Sequence, residues 1–276
     1  MNRRTEQTIV TVLLAFFSLY FLFPIYWTLA TSLKTKDSII KLPPDWIPTK
    51  FTWSHYVEVF KENQIAQVFL NSLTVASATT ILTIAVTVLG AYGFSRFRFP
   101  GRNLWIYTTI VVRMIPGLLL IIPYYLMFQK AGLLNSLSGL VIVNVTAAIP
   151  LAIYLFMGFF NEMPGEIFES ARIDGCSEYG VFLRIALPLV VPGIAVTSIL
   201  VFMGAWNEFS LSLILTFSDD KKLMPLAISS LIQVNKDTPL GAIAAAGTVA
   251  MLPAIVLSLT TQKYIVDGFT AGAVKG

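Results

Sequence analysis

Cysteine and histidine are nearly missing: the chain has one of each, Cys176 and His55, among 276 residues. A single cysteine excludes an internal disulfide and any cysteine-built metal cage, and a single histidine excludes a histidine cluster. Charge is scarce as well, at 12% of residues, against roughly 25% in soluble domains. No Gly-x-x-x-x-Gly-Lys-Ser/Thr stretch occurs, so the chain carries no phosphate-binding loop of its own. A membrane enzyme would need a nucleophile, an acid–base pair or a metal set, and the candidates are too few. Strand-like alternation is also absent, which excludes a membrane β-barrel.

What abounds is apolar surface. Hydrophobic residues make up 56% of the chain and the mean hydropathy is +0.75. They fall in long blocks, at 9–33, 67–95, 104–128, 138–160, 189–217 and 240–262, each holding the ~20 residues that cross a bilayer. Amides in hydrocarbon must be paired within their own segment, so the blocks predict an all-α membrane protein with six spans. Met-Asn-Arg-Arg before the first block looks like the start of a signal peptide. The apolar run Ile9 to Leu33 exceeds the roughly 7–15 residues of such a core, and is read as a retained first helix.

The positive-inside rule does not orient these spans. With the N-terminus inside, nine cations fall on the inner side: Arg3, Arg4, Arg96, Arg98, Arg102, Arg172, Arg184, Lys263 and Lys275. Nine lysines fall outside: Lys34, Lys36, Lys41, Lys50, Lys61, Lys130, Lys221, Lys222 and Lys236. All seven loop arginines stand on one side.

Between the first two spans, residues 34–66 contain Leu-Pro-Pro-Asp-Trp-Ile-Pro, whose prolines forbid a helix. Tyr56, Val59 and Phe60 then recur at helical spacing, which fits either a short amphipathic surface helix or a solvated connector. Arg-Phe-Arg-Phe-Pro-Gly-Arg, residues 96–102, is a basic and aromatic turn suited to a membrane interface. The second span carries Asn71, Ser72, Thr74, Ser77, Thr79, Thr80, Thr83 and Thr87, and the sixth has Gly241, Ala242, Ala244, Ala245, Ala246 and Gly247. Such residues either let helices approach closely or line a polar path. Pro24, Pro116, Pro123, Pro150 and Pro253 are expected to kink their helices.

Two ionisable residues stand where lipid should be. Arg113 and Glu208 each lie nine residues inside their blocks, ~13 Å deep at the helical rise. A charge there costs ~2.5–3.5 kcal/mol, so each needs a partner or a watery cavity, and the two can pair with each other.

Residues 161–188 interrupt the apolar pattern. Five acids, Glu162, Glu166, Glu169, Asp174 and Glu178, outnumber Arg172 and Arg184, a net charge of −3 that an anionic leaflet repels and a protein partner can use. Pro164 starts a helix, Gly175 ends it in left-handed geometry, and a second helix runs from Glu178 until Pro188 breaks it. The product is a stiff helix–bend–helix knob.

Within this stretch Glu169, Ala171, Gly175, Ile185, Leu187 and Pro188 fall at the spacings of the loop by which permease subunits of ATP-binding-cassette importers grip their ATPase. Together with Ala-Trp-Asn-Glu-Phe at 205–209 and the tail at 264–276, nearly the whole chain resembles the carbohydrate-uptake group of these importers, akin to the smaller permease of maltose importers. Ser170 stands where that group has alanine, and Cys176 where it has a small residue.

The resemblance implies a type I importer transmembrane domain in a bacterial inner membrane, with both termini cytoplasmic. It implies a first span and outer connector over 1–66, the transmembrane domain over 67–262 with its coupling loop at 161–188, and a cytoplasmic tail over 263–276. Implied partners are a second permease subunit, two ATPase subunits that alone hydrolyse ATP, an extracytoplasmic solute-binding protein and a sugar, without cofactor, metal or nucleic acid. Glu169, Ser170, Ala171, Asp174 and Gly175 would contact the ATPase. Trp206, Asn207, Glu208, Arg113 and Asn71 would line the substrate path. The outer loop at 218–239, with Asp219, Asp220, Lys221, Lys222, Lys236 and Asp237, would meet the binding protein. An ion-gradient transporter and a permease for a non-sugar solute are the alternatives; the first usually shows internal repeats and several buried acids, of which this chain has one.

Overall fold

The computed structural model describes residues 3–232 and 238–273, with side chains over 5–232 and 238–262. In chain order the helices are α1 (Arg3–Ser32), α2 (Lys36–Ile39), α3 (Ser54–Lys61), α4 (Ile65–Arg96), α5 (Arg102–Met114), α6 (Ile121–Lys130) and α7 (Leu137–Glu162). There follow α8 (Gly165–Ile173), α9 (Glu178–Val181), α10 (Leu187–Leu189), α11 (Val191–Trp206), α12 (Ser210–Leu215), α13 (Met224–Ser230) and α14 (Leu240–Ala273). Among the described residues the only extended pairing is an isolated bridge between Lys34 and Phe51.

Among the described residues four helices, those at Thr5–Ser32, Ile65–Arg96, Leu137–Glu162 and Leu240–Gln262, are each long and apolar enough to cross a membrane. The count reaches six only when two bent pairs are each taken as one span. Counted so, the six expected spans are present, two of them bent, and the kink expected at Pro116 is a full break. The third block breaks at Ile115 and Pro116, where Arg102–Met114 and Gly117–Lys130 meet at 93°. The fifth block begins at Val191 rather than 189 and its helix ends at Trp206 rather than 217. Pro188 does not end the helix before it either: it sits in the first turn of α10, and the 69° bend comes at Val190. Pro24, Pro150 and Pro253 all stand inside continuous helices.

Contacts divide the chain into two compact units, Met1–Ala66 with Ala227–Leu252, and Gln67–Leu226 with Pro253–Gly276. In the first, α1 exposes its whole apolar window, as a lipid-facing helix should. Its end is held by packing of Phe23, Trp27 and Trp46 and by the Tyr26 hydroxyl donating to the Trp46 carbonyl at 2.7 Å. The short helix foreseen from Tyr56, Val59 and Phe60 exists as α3, but its buried face is His55 and Val59, four apart, while Phe60 is half exposed. His55 Nε2 donates to the Lys34 carbonyl at 2.9 Å, and the buried Lys34 ammonium lies 4.1 Å over the Trp27 ring.

Among the described residues the second unit shows two apolar cores. One joins Val75 of α4, Phe128 of α6 and Leu140 and Val143 of α7 to Leu215 and Leu223. The other, at the opposite ends of α4 and α7, joins Tyr92, Phe156 and Phe160 to Phe168, Val181, Phe182 and Ala186. Hydroxyls of α4 turn inward: Ser72, Thr79, Thr83 and Thr87 are buried, Thr87 donates to the Thr83 carbonyl at 2.6 Å, and the Thr79 and Thr83 hydroxyls have no partner among the described residues.

Candidate functional sites: a knob, a cavity and a clamped turn

The knob is built from backbone chemistry first. Gly175 adopts φ +84°. The Cys176 amide donates to the Ala171 carbonyl and the Gly175 amide to the Arg172 carbonyl, both at 3.0 Å. Those two bonds close α8 in a Schellman cap that needs the left-handed glycine. Ser177 then caps α9, its Oγ accepting from the Gly180 amide at 3.2 Å. Arg172 braces the bend, donating from Nε to Glu178 Oε1 at 2.6 Å and from Nη2 to Oε2 at 3.1 Å. These hydrogen bonds, and behind them the opposite charges, hold the Glu178 carboxyl below its ordinary range and the Arg172 guanidinium above its own.

The knob is also bolted down. Phe168 and Ala171 point into the core against Tyr92 and Phe160, and Arg96 donates from Nη2 to the carbonyls of Phe160 (2.6 Å) and Met163 (3.1 Å) while lying 3.8 Å over the Phe168 ring. Of the residues expected to meet a partner, Glu169, Ser170, Asp174 and Gly175 are exposed, whereas Ala171 is buried within the knob itself. Two exposed apolar residues were missed: Ile173, at 86%, and Tyr179, at 72%. Apolar side chains inside an otherwise charged loop are the signal that would have found them.

The cavity lies between the break after Met114 and the gap that separates α11 from α12. It has a volume of about 540 Å³ and is lined by Arg113, Pro116, Tyr124, Pro150, Glu208 and Ser210, among others. Arg113 comes from the last turn of α5 and donates from Nη1 to the Ala147 carbonyl at 3.4 Å. Glu208 sits in the gap between α11 and α12, and its Oε1 accepts from the Leu211 amide at 2.7 Å, capping α12. The two charges share the cavity, but no ion pair joins them among the described residues, contrary to the pairing that their depth allowed. Pro150 lacks an N–H, which leaves the carbonyl of Thr146, another lining residue, without its helical donor.

Three other expected path residues stand elsewhere. Trp206 is buried, stacked on Phe202 with centroids 5.9 Å apart and edge-on to Phe69 at 5.5 Å. Asn207 is exposed and donates to the Met203 carbonyl at 2.9 Å. Asn71, 3% exposed, donates from Nδ2 to the carbonyls of Asp220 (2.8 Å) and Lys222 (3.2 Å). It faces the turn at 218–224 rather than the cavity.

That turn, around a 3-10 helix at Asp219–Lys221, is clamped from three sides. Besides Asn71, Ser72 Oγ accepts from the Met224 amide at 2.7 Å. Asn135, at φ +54°, accepts on Oδ1 from the Ser218 amide (3.2 Å) and hydroxyl (2.9 Å). Lys221 pairs with Asp220 at 3.1 Å and Lys222 with Asp219 at 2.6 Å. Hydrogen bonds from Ser218 and Lys221 lower the Asp220 carboxyl's pKa. Lys236 and Asp237 lie outside the described residues, as do the side chains of the tail at 264–276.

Residues 84–270 match the family described as "Binding-protein-dependent transport system inner membrane component". The chain is 33% identical over 258 residues to the trehalose transport system permease protein SugB of Mycobacterium tuberculosis, covering 93% of each chain. It is 33% identical over 267 residues to the diacetylchitobiose uptake system permease protein DasC of Streptomyces coelicolor, covering 97% of this chain and 96% of that one. A chain in the crystal structure of a bacterial ABC transporter that imports the acidic polysaccharide alginate superposes with a TM-score of 0.81 at 20% identity, over 96% of this chain and 98% of that one.

Proposed function

The chain belongs to the family of binding-protein-dependent transport system inner membrane components, and on that premise we propose that it is the permease subunit of an ATP-driven sugar importer, with oligosaccharide as the substrate class. Sugar-transport relatives at full-length coverage support the substrate class. The partners are a second permease chain, two ATPase subunits that hydrolyse the ATP, and an extracytoplasmic binding protein. Residues 1–66 form the first span and outer connector, 67–262 the transmembrane domain and 263–276 a tail, with both termini cytoplasmic.

One observation carries the reading: a braced knob is joined by a continuous core to the ends of α4 and α7. Force applied at Glu169, Ser170, Asp174 and Gly175 therefore reaches the spans without passing through a flexible linker. ATP closes the ATPase pair, the knob moves with it, and access to the cavity alternates between the two faces. ATP and the loaded binding protein act by favouring one of those states with their own binding energy. At the cavity, Arg113 and Glu208 offer a charged donor and a charged acceptor, the groups that sugar hydroxyls bond.

The test is uptake of labelled sugar by the complex in sealed vesicles. ATP inside should drive uptake with the proton gradient collapsed, and Arg113→Gln or Glu208→Gln should lower it while leaving ATPase retention intact. Uptake that follows the proton gradient and ignores ATP would replace this reading with the ion-gradient alternative.

A further inference from the structure

We infer that the foot of the knob holds a binding site for the phosphate headgroup of an anionic phospholipid, a site that rests on the cytoplasmic placement of the knob proposed above. A pocket of about 410 Å³ opens between the turn after α4 and the outer side of α8, lined by Ser95, Arg96, Arg98, Arg102, Glu169 and Arg172. Four arginines face one glutamate there, a net charge of +3, with Arg96, Arg98 and Arg102 supplied by the turn between α4 and α5 and set against an acidic knob.

The donors are only partly used. Arg96 spends Nη2 on two carbonyls, yet its Nε and the Ser95 hydroxyl are buried with no partner among the described residues. Arg102 donates Nε to the Phe94 carbonyl, and Arg172 is engaged by Glu178. Arg98 makes no hydrogen bond or ion pair among the described residues. Planar guanidinium forks with unspent N–H groups match the oxygens of a phosphate, whereas lysine offers a point charge. That preference accounts for the pocket being lined by arginine and by no lysine.

The surroundings select a lipid over a soluble anion. Phe97 is in the pocket wall, and beside it Phe99, Leu104 and Trp105 are exposed, the last two at 69% and 60%. They lead onto the apolar outer face of α5, where Tyr107 and Val111 are also exposed. A free ion has no use for such a border, but a headgroup whose acyl chains run down α5 does. Glu169 keeps the site from over-binding and places the headgroup next to a residue of the ATPase contact.

The experiment uses the whole complex in phosphatidylcholine vesicles, with or without phosphatidylglycerol, and in detergent for native mass spectrometry. Wild type should retain phosphatidylglycerol, and its binding-protein-stimulated hydrolysis should rise with that lipid. Arg98→Gln should weaken retention about fivefold and Arg98→Gln/Arg102→Gln further, at about a fivefold loss per surface arginine. Both should match wild type in pure phosphatidylcholine, and Arg98→Lys should recover part of the loss. Unchanged retention in Arg98→Gln and in the double variant overturns the site. If inorganic phosphate added to phosphatidylcholine vesicles reproduces the effect, the ligand is a soluble anion and the lipid assignment falls. If Arg98→Gln loses the ATPase in pure phosphatidylcholine, the pocket is a protein contact instead. Failure of the importer reading would show separately, as no ATP-driven uptake by wild type in any lipid, while lipid retention is read without transport.

Discussion

Replacing Asn71 separates an anchor from a path residue. Its amide carries two partly buried hydrogen bonds to the carbonyls of Asp220 and Lys222, and its Oδ1 accepts one from Gln67 at 3.0 Å. Asn71→Ala removes the donors and strands two carbonyls, at about 0.5–1.5 kcal/mol for each lost bond and more where the carbonyl stays dry. With Ser72 and Asn135 still holding the turn, a local loss of roughly 2–3 kcal/mol is expected, some 30- to 150-fold toward the open turn. Asn71→Asp keeps the volume and the bond from Gln67 but aims a carboxylate at both carbonyls, so it should do as much harm or more. Hydrogen exchange should quicken over residues 216–224 in both variants. Stimulation of hydrolysis by the loaded binding protein should fall, while basal hydrolysis and the dependence of uptake on sugar affinity stay put. Normal exchange with weakened sugar affinity would refute the anchor and return Asn71 to the path.

Three further outcomes are expected. Gly175→Ala forces a side chain into φ +84° at about 1–2 kcal/mol, so it and Glu169→Lys should reach the membrane yet lose ATPase on copurification; full recovery with normal uptake in both would sink the coupling assignment. At Gly241 an added methyl would overlap the buried His55 ring, an overpacking cost of about 1–3 kcal/mol, so Gly241→Ala should lower the melting temperature and His55→Ala should partly relieve it in the double variant. The Arg172–Glu178 brace holds the Glu178 pKa down in the folded state, so its contribution is present at neutral pH and fades as pH falls through the depressed value. Because those side chains are 38% and 49% exposed, Glu178→Gln should cost at most about 1 kcal/mol at pH 7, and a gap from wild type that persists in acid would contradict the brace.

Much of this architecture is legible in the chain because lipid imposes long apolar blocks, and all six blocks correspond to helical segments. The knob is legible too, since one glycine between two charged helices has few ways to turn. Directions are not. Hydropathy runs unbroken across Ile115 and Pro116, and Pro24, Pro150 and Pro253 give the same local signal inside helices that continue. Nor does a polar residue in a span announce what it faces: Asn71 and Arg113 look alike by position, yet one clamps a turn and the other lines a cavity.

The difference between a carried proline and a breaking one lies across the gap. Backbone that leaves the helix at membrane depth strands its amides and carbonyls, which hydrocarbon does not tolerate, so breaks survive only where protein or a cavity meets them. Here the break after Met114 and the break after Trp206 line the same cavity, and Glu208 caps α12 by accepting from the Leu211 amide. Pro24 has no such neighbour, since the whole apolar window of its helix is exposed, and the helix there stays intact. The two broken spans and the two membrane charges are therefore one feature. A charge at that depth needs a wet recess, the recess needs helices that turn aside, and the turned helices need polar side chains to satisfy their ends.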